Sequence, residues 1–557
     1  MDHAVIVTDL FDLFSCIDSL QNDARRTSNA MVEVLLEQCG QDVAVPENGC
    51  NLNENSTECS PSDNCDSTVE VSKLTPIQKF YNGESIFVTG GTGFMGKLLV
   101  EKLLRECPGI SFIYLLVRSK KGKDVHQRIE ELFDDPVFGR LKEQHPKFRH
   151  QIVAISGDCY LPGLGISPND RATLIREVSI FFHVAATVRF DEKMTVAVPI
   201  NVRSPKAALN LCKDMPRLKA FVHVSTAYAN CPLTRIEERV YEPPMDGDQL
   251  IALTECLDEK LLDEITPLLG IWPNTYTFTK AVAESSVKKD AGDMPVGIFR
   301  PSIVISTYQE PLRGWIDNLY GPTGVAAGAG TGILRSIHCD GSIEANVVPG
   351  DLTVNALIAC AWDVANRRRS SITPGEKNND VPVYNFVCRD NSITYDDLKI
   401  KSEKYGLEYP TGKAIWYYSF RNNKHKLIHL LCVYILHLMP ALIIDTITVC
   451  IYKKIHKFMD VLNYFTTRQW DFINDNFRSV LAKMSPEDRE NFACDITRVD
   501  WDNYFRFYIQ GIRMYLIKDP IETLEKSYVL KIPAIGQLEL KISWQSSGKM
   551  WFPEKWI

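Results

Sequence analysis

From Glu84 to Val304 the chain alternates between two textures. Short, almost unbroken apolar runs (SIFVTG, FIYLLVR, QIVAISGD, SIFFHVAA, AFVHVST, VGIFRPSIV) are separated by helical patterns such as GKLLVEKLLREC and NVRSPKAALNLCKDM. Runs rich in Val, Ile and Phe without polar alternation predict strands buried on both faces. Amphipathic helices between them predict a parallel sheet covered on both sides, a doubly wound, Rossmann-type α/β fold. Other textures flank this core. Residues 1–75 are acidic and dominated by polar turn formers, as in GCNLNENSTECSPSDNCDSTVE. They bury too little apolar area to offset the entropy of ordering and predict a disordered extension, with a short helix near residues 5–38. From Leu427, LIHLLCVYILHLMPALIIDTITVCIY runs 26 residues without Lys, Arg or Glu. Residues 457–528 carry helical patterns such as QWDFINDNFRSVLAKM. The expected organisation is an extension (1–75), a dinucleotide-binding reductase domain with its substrate-binding part (76–425), a hydrophobic segment (426–456), a helical C-terminal domain (457–528) and a tail (529–557).

As one helix the apolar stretch would span about 39 Å, longer than a hydrocarbon core. His429, His437, Pro440 and Asp445 oppose a plain span, because ionisable groups at bilayer depth are costly without partners. Two shorter helices bent at Pro440 and lying in the membrane interface, or packed on the protein, keep those groups wet; membrane association is the expectation.

Composition narrows the chemistry. Over 557 residues, 45% are hydrophobic and 24% charged, values of an ordinary globular protein. A net charge of -8 with no dense Lys/Arg stripe argues against nucleic acid as partner. The 16 cysteines form no C-x-x-C pair, so neither a disulfide scaffold nor a metal site is expected. The acidic start MDHAVIVTDLFDLFSCIDSL lacks the basic region of a secretory signal.

SIFVTGGTGFMGKLLVEKLL sets strand, glycine turn and helix in succession. Gly90, Gly93 and Gly96 permit a tight turn, close approach of a pyrophosphate and close helix–strand packing, with the helix N-terminus facing the phosphates. Thr89, Phe94 and Met95 flank these glycines in the candidate cofactor site. The next strand ends in Arg118, followed by Ser119, Lys120, Lys121 and Lys123, where an NAD site would carry a carboxylate. A basic cluster fits a 2′-phosphate, so NADPH is the expected cofactor. Asp158 at a strand end is a candidate acceptor for the adenine amine. The small pair Ala185-Ala186 leaves room for the dinucleotide, and Ser302 closes the set.

In NTYTFTKAVAES, Tyr276 and Lys280 fall one helical turn apart on one face. An ammonium beside a phenol favours the phenolate and eases proton donation to an oxygen gaining charge as hydride arrives. Ser225 and Thr226, after the fifth strand, supply a second hydroxyl. Y-x-x-x-K alone is common on solvated helices; its chain order after the glycine turn gives it weight.

With these motifs on view, the chain resembles the extended short-chain dehydrogenase/reductases and, more narrowly, the alcohol-forming fatty acyl-CoA reductases. The resemblance rests on VTGGTGFMGKLLVEKLLR, HVAATVRFDE, HVSTAYAN, YTFTKAVAE, FRPSIV and GWIDNLYGPTGVAAGAGTGILRSIHCD, and covers residues 78–525. It implies Thr226, Tyr276 and Lys280 as the catalytic group, with Ser225 a possible substitute for Thr226. The implied reaction reduces a long-chain acyl-CoA to an aldehyde and then a primary alcohol, with NADPH as donor and CoA released. It also implies residence on a cytosol-facing membrane, the endoplasmic reticulum before the peroxisome, although KWI is not a peroxisomal terminus. The polar C-terminal end and the acidic extension depart from the family's pattern. A hydroxysteroid dehydrogenase, a sugar-nucleotide epimerase or a non-catalytic nucleotide-binding relative remain alternatives on the same fold.

Overall fold

The six apolar runs become strands: β1 (Ser85–Thr89), β2 (Phe112–Val117), β3 (Ile152–Ser156), β4 (Ile180–His183), β5 (Ala220–Val224) and β6 (Val296–Pro301). A seventh, β7 (Val383–Phe386), joins them in the order β7-β6-β5-β4-β1-β2-β3. All neighbours are parallel. Every position of β1, β4 and β5 is buried, as the lack of polar alternation requires. This computed structural model describes residues 73–120, 122–264, 269–370, 380–439, 442 and 446–527. The expected tail and nearly all of the expected extension lie outside them.

From β1 the chain builds outward through β2 and β3, then returns to lay β4 on the other flank of β1. From β1 the chain goes to one flank and from β4 to the other, which makes their junction the switch point where ligands of doubly wound sheets bind. The helices used below are α1 (Phe94–Glu106), α2 (Val125–Phe133), α3 (Thr275–Ala291), α4 (Pro322–Gly330), α5 (Lys426–Cys432) and α6 (Thr446–Thr466). A π-helix over Val433–Leu438 continues α5.

The helical C-terminal region is bonded directly to the sheet domain. The Trp470 indole N–H donates to the Cys231 carbonyl at 3.0 Å, and Asn385 Nδ2 donates to the Ile473 carbonyl at 2.7 Å. The Glu238 carboxylate accepts backbone N–H groups from Asn385 (2.9 Å), Phe477 (3.2 Å) and Asn476. Burial pushes Glu238 up to about 7, against the pull of those three donors.

The expected boundary at residue 457 falls inside α6. The apolar composition ends near Tyr452, yet the helix continues because Ile455, Met459, Leu462 and Phe465 recur at helical spacing and are buried. Among the described residues, no helix is long and apolar enough to cross a membrane. The expected bend at Pro440 lies outside the described residues.

Candidate active site

The glycine turn is shaped by what its missing side chains would strike. Gly90 has φ +75°, and a Cβ there would lie 2.7 Å from the Ala185 backbone nitrogen. A Cβ on Gly96 would come within 2.1 Å of the Gly90 carbonyl oxygen. Gly93 is exposed and caps α1 without a side-chain hydrogen bond, leaving the first-turn N–H groups at Phe94 and Met95 uncapped by any side chain. A concave backbone with a free helix N-terminus fits a dinucleotide pyrophosphate. The Phe94 side chain turns aside and stacks on Trp315, with centroids 5.3 Å apart.

Thr89 is fully buried. Its hydroxyl meets His183 Nδ1 at 2.9 Å and accepts the Ala185 N–H at 3.3 Å, so the side chain holds the loop after β4 instead of reaching the crevice. Only its backbone borders the cradle.

At the end of β2, Arg118 is about half exposed and lies 3.5 Å from Asp158. Asp158 also accepts the Tyr160 N–H at 2.9 Å. Arg128, on α2, donates to the Arg118 carbonyl at 2.5 Å. Burial and then the Arg118 charge hold its pKa below the usual guanidinium value. Two guanidinium groups that repel each other make an anion-receptive corner.

The candidate reacting centre gathers at the end of β5. Asn274 caps α3, its Oδ1 accepting the Thr277 N–H at 2.9 Å, which fixes the first turn and with it Tyr276. The half-buried Tyr276 phenol faces the Thr226 hydroxyl, which also accepts the Tyr228 N–H at 3.2 Å. Lys280 is 1% exposed, and its ammonium donates to the Val224 carbonyl at 2.8 Å. Tyr276, Thr226 and Lys280 therefore converge. The lowering of the phenol expected from Lys280 does not appear. Burial pushes Tyr276 up to about 12; the Thr226 hydrogen bond opposes this and the Glu284 charge adds to it. Lys280 is turned to a carbonyl, and burial pushes it down to about 8 despite Glu284. The buried hydroxyls of Ser225 and Ser302 have no hydrogen-bond partner among the described residues. Both lie just beyond the ends of adjacent strands, where a ligand would satisfy them.

Several supporting residues were not singled out in the sequence. Asn201 accepts the Thr187 N–H at 3.0 Å and donates to the Thr187 carbonyl and the Thr279 hydroxyl, at 3.1 and 3.0 Å. It thereby pins the loop after β4 to α3. The only available signal was an asparagine, a weak helix former, inside a helical pattern. Glu284, one turn beyond Lys280, forms a buried pair with Arg300 at 2.7 and 2.6 Å. Phe190 stacks on Tyr276, with centroids 5.7 Å apart and planes at 18°, and touches Phe465 of α6 at 5.4 Å.

The chain is similar to known proteins over most of its length. Residues 88–357 and 428–519 each match a family described as Male sterility protein. The Drosophila melanogaster protein named fatty acyl-CoA reductase wat is 46% identical over 477 residues, 84% of this chain and 90% of that protein. Fatty acyl-CoA reductase 1 of Homo sapiens is 35% identical over 468 residues, 81% of this chain and 88% of its own length. Two solved structures share the fold at 19% identity. The reductase (R) domain of a nonribosomal peptide synthetase from Mycobacterium tuberculosis has a TM-score of 0.52, covering 82% of this chain and 97% of that one. The terminal R domain of the myxalamid PKS-NRPS pathway has a TM-score of 0.51, covering 79% and 93%.

Proposed function

Because the chain belongs to the fatty acyl-CoA reductases, nicotinamide-dependent oxidoreductases acting on fatty acyl groups, we propose that it reduces a long-chain fatty acyl-CoA to a primary alcohol, with NADPH as donor and CoA released at the aldehyde stage. The observation that carries this reading is the convergence of Thr226, Tyr276 and Lys280 beside a loop shared with the glycine cradle.

In this reading Gly90, Gly93, Gly96 and the first-turn N–H groups at Phe94 and Met95 hold the pyrophosphate. Arg118 and Arg128 hold the 2′-phosphate, which favours NADPH over NADH. Ala185, Lys280 and Ser302 border the nicotinamide end, and Asp158 the adenine end. NADPH, when bound, supplies hydride to the acyl carbon. Tyr276 gives its proton to the carbonyl oxygen as charge builds there, and Thr226, with Ser225 behind it, steadies the oxygen by hydrogen bonding. The resulting hemithioacetal breaks its C–S bond, leaving aldehyde and the CoA thiol. With hydride from a second NADPH at the aldehyde carbon, Tyr276, reprotonated from solvent after the first reduction, repeats the proton transfer at the aldehyde oxygen. The long substrate and the exposed apolar side chains around Leu427–Leu442 support work at a cytosol-facing membrane, the endoplasmic reticulum before the peroxisome.

The test is stoichiometry. With palmitoyl-CoA or stearoyl-CoA, two equivalents of NADPH are consumed for each fatty alcohol detected by mass spectrometry. One equivalent with free aldehyde would reassign the enzyme as aldehyde-forming, and no acyl-dependent oxidation would overturn the reading.

A further inference from the structure

The α5 helix and its π-helical continuation carry their polarity in reverse for a surface facing water. Leu427, Ile428, Leu431, Tyr434, Ile435 and Met439 are each at least 50% exposed, and their spacing lines them along one side. The opposite side holds the polar groups. His437 is fully buried; its Nε2 accepts the Arg335 N–H at 3.0 Å, and its Nδ1 lies 3.1 Å from His456 Nε2. His429 Nδ1 lies 2.8 Å from the Ser336 hydroxyl. A helix at an aqueous surface does the opposite, hiding leucines and showing histidines. A continuous apolar stripe, unlike scattered apolar residues, marks a surface that meets another apolar phase.

Two further features identify that phase. Trp416 and Tyr417, shortly ahead of the stripe in sequence, are exposed, and Arg335, whose N–H donates to His437, lays its guanidinium 4.5 Å above the Trp416 ring. Between Thr411 and Leu442 the sequence carries Lys413, Arg421, Lys424 and Lys426 but no Asp or Glu, in a chain whose net charge is -8; of these, Lys424 is paired with Asp340 at 2.7 Å. Apolar side chains, ring-bearing residues and local positive charge together match the boundary layer of an anionic bilayer. A second copy of the chain fits less well, since a two-fold contact would set this basic rim against itself. No described helix is long and apolar enough to cross the bilayer.

We propose that the outward stripe of Leu427–Met439, with Trp416 and Tyr417, is a lipid-docking face that seats in the interfacial layer of an anionic membrane while its histidines stay within the protein. This rests on the membrane contact in the functional reading and specifies where that contact is made.

The test is flotation of the full chain with phosphatidylcholine vesicles, with and without phosphatidylserine. Wild type should float with the anionic vesicles. Leu431→Glu with Ile435→Glu should bind at least about tenfold more weakly. Arg421→Glu with Lys426→Glu should lose the preference for phosphatidylserine. Ile400→Glu, exposed on another helix, should bind as wild type does. Turnover of a water-soluble short-chain acyl-CoA reports that each variant is folded; if the glutamates unfold the chain, Leu427→Ser with Met439→Ser provides the same readout. Equal flotation of wild type and stripe variants would overturn the face while leaving membrane contact elsewhere. Failure of wild type to float would overturn membrane contact itself. A dimer lost in the stripe variant, by sedimentation velocity, with flotation unchanged would reassign the face to self-association.

Discussion

At the scale of single residues, two side chains of the reacting centre have been moved in opposite directions by the same cause. Burial keeps Tyr276 protonated up to about 12, and it brings Lys280 down to about 8. An amine is charged below its pKa, so the ammonium is present at neutral pH and lost through the mildly alkaline range. If that charge is needed, kcat/KM falls above a pH near 8, and Lys280→Arg moves the alkaline limb upward; a pH–rate profile checks both. Tyr276→Phe should lower kcat by about 10²–10⁴-fold, the usual worth of a positioned proton donor, with NADPH affinity close to wild type by fluorescence titration. At the corner proposed to hold the 2′-phosphate, Arg118→Glu and Arg128→Glu should each raise KM for NADPH far more than for NADH. Equal weakening of both cofactors would remove the phosphate assignment. Arg118 was readable as the residue ending a strand where a carboxylate was missing. Arg128 was not, because only the register of α2 against β2 brings it alongside.

Secondary-structure elements decide which of these side chains meet. Asn274 orders the first turn of α3, so Asn274→Ala should cost about 1 kcal/mol in urea unfolding and loosen Tyr276 as well. A fall in kcat larger than the stability loss accounts for would mark that loosening. The glycine turn was legible because its chemistry is backbone chemistry: strand, φ-permissive residue and helix start lie consecutively. The aromatic contacts of Tyr276 were not legible, since Phe190, Tyr276 and Phe465 come from three distant parts of the chain. The end of the apolar composition also misled about α6. Composition changes where the surroundings change, whereas a helix ends where its backbone hydrogen bonds end, and Thr466 lies well beyond Tyr452.

Across the whole molecule, buried histidines tie stability to acid. His183 hydrogen-bonds Thr89 and Ser204, and burial, then the Lys280 charge, lowers it to about 3. His437 is lowered to about 3 by burial and then by its neighbours His456, His429 and Arg335. Unfolded histidines titrate near 6.5, so these are depressed pKa values. Their stabilisation is complete above about 6.5 and is lost as pH falls to about 3, up to roughly 5 kcal/mol for each. Urea midpoints should therefore fall steadily from pH 7 to about 4, and His183→Asn should flatten that slope at some cost in stability at neutral pH. The doubly wound core could be read from strand texture alone. The union of the C-terminal helices with the sheet could not, because it depends on polar bonds such as those of Glu238 and Trp470, whose partners are far away in sequence.

One helix joins the two ends of this arrangement. Thr446–Thr466 begins just past the outward leucines and finishes beside the ring that stacks on Tyr276. Its 21 residues make a rod about 32 Å long. In the proposed reading, the number of its turns fixes the separation between the lipid-docking leucines and the proton donor Tyr276.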